Sequence, residues 1–388
     1  FFFKQKTAYE IKECDWSSDV CSSDLMVPSG ASTGSAEALE LRDGDPNRYA
    51  GRGVRQAVRH VREVIGPEII GMDACDQQAI DRRLIELDGT PNKSRLGGNA
   101  ILGVSLATAV AASAARQLPL YRHLHELQVA VATHPVPAPA VPTPMTNIIS
   151  GGLHAGGNLD FQDILVMPRQ SPDFATALEW IVRVYREQGR LLCEAGYEGR
   201  LVGDEGGYGP RLKSNREAVE FVVRAIEAAG LRPGHDMVIA IDVAATHFVH
   251  QNGSQHSASH RWEYRLASEH NRVLSADQMI DQLEHWVDAF PIVSIEDGLA
   301  ENDWEGWQRL TSRLGSRVQL VGDDLFATNP VRLRHGISHH AANSVLIKVN
   351  QIGTLTETFE AIAIARSAGY GFVRSEEHTS ELQSHSFI

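Results

Sequence analysis

The sequence is poor in cysteine, in positive charge and in unbroken hydrophobic runs, and each shortage closes off a class of protein. Only four cysteines occur in 388 residues, too few for a disulfide framework and in keeping with a reducing compartment. Lysine and arginine number 36 against 49 acidic residues, for a formal charge of −13. A nucleic-acid partner would require a basic face. The longest apolar run, Ala100 to Ala115, is broken by Ser105, Thr108 and Ser113. It is too short to span a bilayer and reads as a buried helix, so no membrane partner is expected. Three phenylalanines followed by Lys4 make no signal-peptide core. The expectation is a cytoplasmic protein.

What is present is a series of short apolar strands, each closed by a charged residue. Met237–Asp242 ends in Asp242, Pro291–Asp297 carries Glu296, Val318–Asp324 carries Asp323 and Asp324, and Asn343–Asn350 carries Lys348. The last two steps are each about a strand plus one returning helix long. Repeated βα units predict a parallel barrel with its chemistry at the C-terminal ends of the strands. Before them, apolar residues at three- and four-residue spacing predict helices around 52–65, 76–87 and 99–118. After the proline-rich connector His134–Pro144, a candidate domain boundary, the same spacing predicts helices at 175–195, 215–229, 276–290 and 355–368.

Three carboxylates on neighbouring strand ends favour a hard cation, Mg²⁺ first and Mn²⁺ second. The alternative is three solvated acids paired with nearby basic residues. Lys348, among Val345, Leu346, Ile347 and Val349, must pair, snorkel or shift its pKa; beside a cation it can serve as a general base. The competing reading is a structural lysine bonded to Asp323 or Asp324. Glu205, in Gly203-Asp-Glu-Gly-Gly207, lies on a loop whose glycines admit a ligand, and is a candidate general acid. His154 occupies a similar glycine loop, Gly151–Gly157, as a ligand contact or a structural histidine. His247, His250, His256 and His260 lack cysteines and compact spacing and read as a polar surface loop rather than a zinc site.

These residues resemble the enolase family, phosphopyruvate hydratase. The phrases that carry the resemblance are Val27-Pro-Ser-Gly-Ala-Ser-Thr-Gly34, Glu40-Leu-Arg-Asp43, Asn99-Ala-Ile-Leu-Gly-Val-Ser-Leu106, Val202-Gly-Asp-Glu-Gly-Gly207, Ser294-Ile-Glu-Asp297, Gly322-Asp-Asp-Leu325 and Ile347-Lys-Val-Asn-Gln-Ile-Gly-Thr-Leu-Thr-Glu-Thr358. The resemblance spans residues 27–373. It implies a small α+β capping domain followed by a TIM-like barrel that opens with a hairpin before its βα repeats. It also implies reversible dehydration of 2-phosphoglycerate to phosphoenolpyruvate with two Mg²⁺ per site. Asp242, Glu296 and Asp323 would hold the first ion, on the substrate carboxylate, and Ser32 would help bind the second. Lys348 would remove the proton alpha to the carboxylate, and Glu205 would protonate the departing hydroxyl. His154, Gln162 and Asp163 would contact substrate, and a homodimer or higher homo-oligomer is implied.

The chain departs from the family pattern at two internal places. Asp163 stands where the family has glutamate, which draws the carboxylate back by one methylene. Gly298 stands where the family has proline, which should loosen the loop behind Glu296. Residues 1–25 and 374–388 look like translated sequencing-adapter DNA and are set aside as artefacts. That leaves a capping domain over 26–134 lacking its first strands and a barrel over 135–373 lacking its last strands and helices. Exposed sheet edges follow from that, so the chain as written is expected to be inactive and prone to aggregate. The other readings are a divergent superfamily enzyme acting on a different carboxylate, and a non-catalytic scaffold with an enolase body.

Overall fold

Helix starts follow from short polar residues. Asp76, Asp173, Ser214, Ser275, Asp303 and Thr354 each accept a hydrogen bond from the backbone N–H three residues on. Each thereby satisfies one of the donors that a helix start leaves over. The computed structural model describes residues 27, 29, 34–251 and 262–374, and the chain divides into two compact units. One comprises the residues up to Val141 with Phe326–Arg334 and those from Leu346 onward, and the other comprises Pro142–Leu325 with His335–Val345.

The first unit is helical: α1 (Arg55–His60), α2 (Gly66–Ile69), α3 (Gln77–Asp88), α4 (Gly98–Ala115) and α5 (Leu120–Val131). A π-helical turn, Val61–Ile65, joins α1 to α2. Helix α4 is apolar on all sides, the pattern of a helix that is buried rather than amphipathic. Ile101 and Val104 pack with Ile80 and Leu84, while Leu102 and Leu106 pack with Leu124 and Phe359. By length and composition α4 could cross a membrane, but most of it is buried in this core.

The second unit begins with β1 (Thr146–Ser150) and β2 (Asp163–Pro168), then α6 (Phe174–Glu194), α7 (Asn215–Ala228) and β3 (Met237–Asp242). A small antiparallel sheet follows, β4 (Val249–Gln251), β5 (Trp262–Leu266) and β6 (Arg272–Ser275). The polar run expected to form a surface loop falls between its first two strands, and residues 252–261 lie outside the described ones. Then come α8 (Ala276–Ala289), β7 (Ile292–Glu296), α9 (Trp304–Leu314), β8 (Gln319–Gly322), α10 (Pro330–Ser338) and β9 (Ser344–Ile347). Among the described residues, the elements α11 (Val349–Ile352), α12 (Leu355–Ser367) and β10 (Gly371–Arg374) belong to the first unit.

The main sheet has the order β1-β2-β3-β7-β8-β9-β10. Strands β1, β2 and β3 pair antiparallel, and β3, β7, β8 and β9 pair parallel. This is the hairpin start followed by βα repeats of an incomplete TIM-like barrel, accompanied by a helical unit. One strand is shorter than expected. The run Asn343–Asn350 stops at Ile347, and Lys348 becomes the N-cap of α11, which Gly353 ends in a left-handed conformation. Apolar residues at 345, 347 and 349 alternate as in a strand, while 349 and 352 fit one turn of helix, so periodicity over so short a run could not separate the two.

Candidate active site

Strand register brings the acids together. Asp163 of β2 pairs with Asp242 of β3, Asp242 pairs with Glu296 of β7, and Glu296 pairs with Val321 of β8. Asp323 follows two residues beyond Val321. Asp242 and Glu296 end their strands, Asp163 begins β2 and Asp323 directly follows β8, and the strand residues behind them, Ile239 to Ile241, Ile295 and Leu320 among them, are buried. Neighbouring strands lie about 4.8 Å apart, close enough for the side chains of adjacent strand ends to share one cation.

The Asp242 carboxylate is held on both oxygens. Gln162 Nε2 donates to Oδ2 at 2.9 Å, and the Ala244 backbone N–H donates to Oδ1 at 3.0 Å. Gln162 Oε1 is buried and has no hydrogen-bond partner among the described residues, as suits a group awaiting a ligand donor.

Asp297 was not singled out from the sequence, yet it is at the centre of this region. It is 3% exposed and adopts a left-handed conformation, φ 40°, which is strained for a residue with a side chain. Its oxygens accept the backbone N–H groups of Asp323 at 3.1 Å and Asp324 at 2.7 Å. Burial first, then the charges of Asp324, Asp323 and Asp242, push its carboxyl well above the usual carboxylate range. So dense a set of acids favours a bound cation.

A second group forms around His154. Gly203 and Gly207 let the Glu205 loop lie against β1 and the 3-10 turn Gly152–Ala155. A Cβ at 203 would meet the His154 carbonyl oxygen and the Ser150 side chain, and one at 207 would meet Ser150 Oγ and N. Close approach thus explains this glycine loop. Glu205 reaches His154 Nδ1 at 3.5 Å and accepts a hydrogen bond from Asn147 Nδ2. His154 Nδ1 pairs with Asp163 Oδ2 at 2.7 Å, and Ser150 Oγ donates to Asp163 Oδ1 at 2.8 Å. Both oxygens of Asp163, a residue expected to contact substrate, are engaged by protein side chains.

His247 is exposed, as expected of a polar surface segment. It lies on the 3-10 turn Ala245–Phe248 directly after β3. Partial desolvation first, and His154 second, hold its imidazole below the usual range, against the pull of Glu301 and Asp323. His250 is exposed as well, and His256 and His260 lie outside the described residues.

Lys348 directly follows β9 as Asp323 follows the end of β8, and it is 7% exposed. Its backbone N–H donates to Thr328 Oγ1 at 2.9 Å. Ser32 lies outside the described residues.

Residues 138–388 match the family model of the enolase C-terminal TIM barrel domain, and residues 16–124 match that of the enolase N-terminal domain. The chain belongs to the enolase family. Membership makes it a lyase-type enzyme of the enolase superfamily, which acts on small molecules. Among the described residues, two sets each bring their possible ligand atoms within 4.8 Å of one another, His154 with Asp163 and Glu205, and Asp297 with Asp323 and Asp324. They share only Asp323 with the expected set of Asp242, Glu296 and Asp323. The side chains at these strand ends, Asp242, Glu296 and Asp323, offer oxygen atoms only, which suits a hard divalent ion. The donor chemistry therefore fits the Mg²⁺ typical of the superfamily.

Proposed function

We propose that the chain carries the site for reversible dehydration of 2-phosphoglycerate to phosphoenolpyruvate, in the cytoplasm, as part of glycolysis and gluconeogenesis. The observation that carries this reading is the register that sets Asp242 beside Glu296, with Asp323 ending the next strand, in a chain of the enolase family. Asp242, Glu296 and Asp323 would hold Mg²⁺, and Ser32 would serve a second ion. Bound Mg²⁺ supplies positive charge to the substrate carboxylate as negative charge accumulates there.

The rest falls to side chains. Lys348 takes the proton alpha to the carboxylate as general base. Glu205, steadied by Asn147 and His154, gives a proton to the departing hydroxyl. Gln162 and His154 bind and orient substrate. Asp163 acts through His154, whose Nδ1 it engages, and so directs the other ring nitrogen. Assembly as a homodimer or higher homo-oligomer belongs to the same proposal.

A second reading, a superfamily enzyme acting on another carboxylate substrate, is favoured by Asp163, which is turned to Ser150 rather than free for a ligand. Assay of 2-phosphoglycerate against a panel of other hydroxy acids decides between them. The ends of the chain should first be re-read from the gene, outward from Met26 and Val373. Preference for 2-phosphoglycerate supports the first reading, and preference for another acid overturns it.

A further inference from the structure

We infer that Asp297 is the positioning residue of the cation site, the group that sets the three acid-bearing strand ends relative to one another. The inference rests on the proposal that Asp242, Glu296 and Asp323 hold a divalent cation. Asp297 touches all three ends. It directly follows Glu296 on β7. Its backbone N–H donates to Val321 of β8 at 3.0 Å, and its carbonyl accepts from the Ala245 N–H, beyond the end of β3, at 3.1 Å. Val243 N–H, next to Asp242, donates to the Glu296 carbonyl at 3.0 Å in the same web.

The side chain completes the clamp. Its carboxylate accepts the N–H groups of both Asp323 and Asp324, which turns the chain after β8 and fixes where the Asp323 side chain starts. A carboxylate spent on two backbone donors is poorly placed to ligate a metal itself, although its atoms lie close to those of Asp323 and Asp324. The left-handed conformation at Asp297 is what points the carboxylate back at β8. Burying a fourth acid beside three others costs stability, and orienting a ligand is a task that a neutral residue would do less well.

The test compares wild type, Asp297→Asn, Asp297→Glu and Asp242→Asn as full chains, by titration with Mn²⁺ and by thermal unfolding without metal. Asparagine keeps the size but can accept only one of the two N–H groups. Glutamate keeps the charge but moves the carboxylate. Both variants are expected to bind Mn²⁺ about 10- to 100-fold more weakly, with metal-free unfolding midpoints near that of wild type. Wild-type affinity in Asp297→Glu with loss in Asp297→Asn would make charge alone the cause and overturn the inference. So would unchanged affinity in both while Asp242→Asn loses binding, a result that leaves the cation reading intact. Failure of both variants to fold would make Asp297 a residue of the fold and overturn it as well. A wild type that binds no Mn²⁺, or an Asp242→Asn that binds it normally, would remove the cation reading itself and the inference with it.

Discussion

His154 Nδ1 lies 2.7 Å from Asp163 Oδ2, and both residues are buried. A carboxylate on one ring nitrogen sets which face of the imidazole is offered to a ligand. Asp163→Asn should keep the size of the side chain but make this pairing ambiguous, because an amide can donate as well as accept. Turnover should fall about 10²-fold, the cost of misplacing a positioning group by roughly 1 Å, with little change in unfolding midpoint. Steady-state rates beside a thermal melt check both halves. Unchanged rates would remove Asp163 from the site.

Asp81 is fully buried in the helical unit and accepts hydrogen bonds from Thr356 N and Oγ1 and from Gln77 Nε2. Burial raises its pKa, against the bonds from Thr356, Ser105 and Gln77, so the folded chain holds this proton more tightly than the unfolded one. The stability linked to it is complete below the ordinary carboxylate pKa, near 4, and is lost as pH rises through the raised folded value. Asp81→Asn does not titrate. Its stability relative to wild type should therefore improve as pH climbs from about 4. Urea midpoints at a series of pH values test this, and a pH-independent difference would contradict it.

Helices α8 and α9 face each other through a ladder of exposed charges. Arg309 pairs with Asp277, Arg313 with Asp281 and Glu284, and Arg317 with Glu284 and Asp288. Arg313 is the middle rung. Its replacement by alanine should cost no more than about 1 kcal/mol per exposed pair, and the cost should shrink in roughly 1 M salt, where the screening length is about 3 Å. Denaturant midpoints at low and high salt measure it. A loss that salt does not reduce would mean the arginine stem matters through packing.

Gly298 was expected to loosen the loop behind Glu296. A Cβ there would meet Leu283, Ile295 and Leu310 at 3.1 to 3.3 Å, so the glycine is closely surrounded by apolar side chains. Gly298→Ala should destabilise by about 1–3 kcal/mol, the range for overpacking a filled core. A neutral or stabilising result in denaturant unfolding would show that these three side chains can move aside.

Strand ends were easy to read because an apolar run closed by an acid has few alternatives; Met237–Asp242 runs as predicted. Helix α8 lies within one residue of its expected span, since its apolar residues recur at three- and four-residue spacing. Asp297 was harder. In sequence it is one more acid beside Glu296, and only the turn through positive φ shows that it serves backbone groups of the next strand. Ser150 and Asn147 are ordinary polar residues of a strand until the glycine loop brings Asp163 and Glu205 to them. Contacts made by distant segments leave no periodic trace, so such partners could not be seen in advance.

The measurement that bears most directly on the proposed function is conversion of 2-phosphoglycerate to phosphoenolpyruvate by the chain with re-read ends, beside its Lys348→Ala and Asp242→Asn variants. Activity should require Mg²⁺ and vanish on chelation. Lys348→Ala should lose at least about 10²-fold, the lower bound for removing a general base. Asp242→Asn should need far more Mg²⁺ to reach the same rate. Turnover indifferent to chelation, or kept in Lys348→Ala, would contradict the assignment of base and cation.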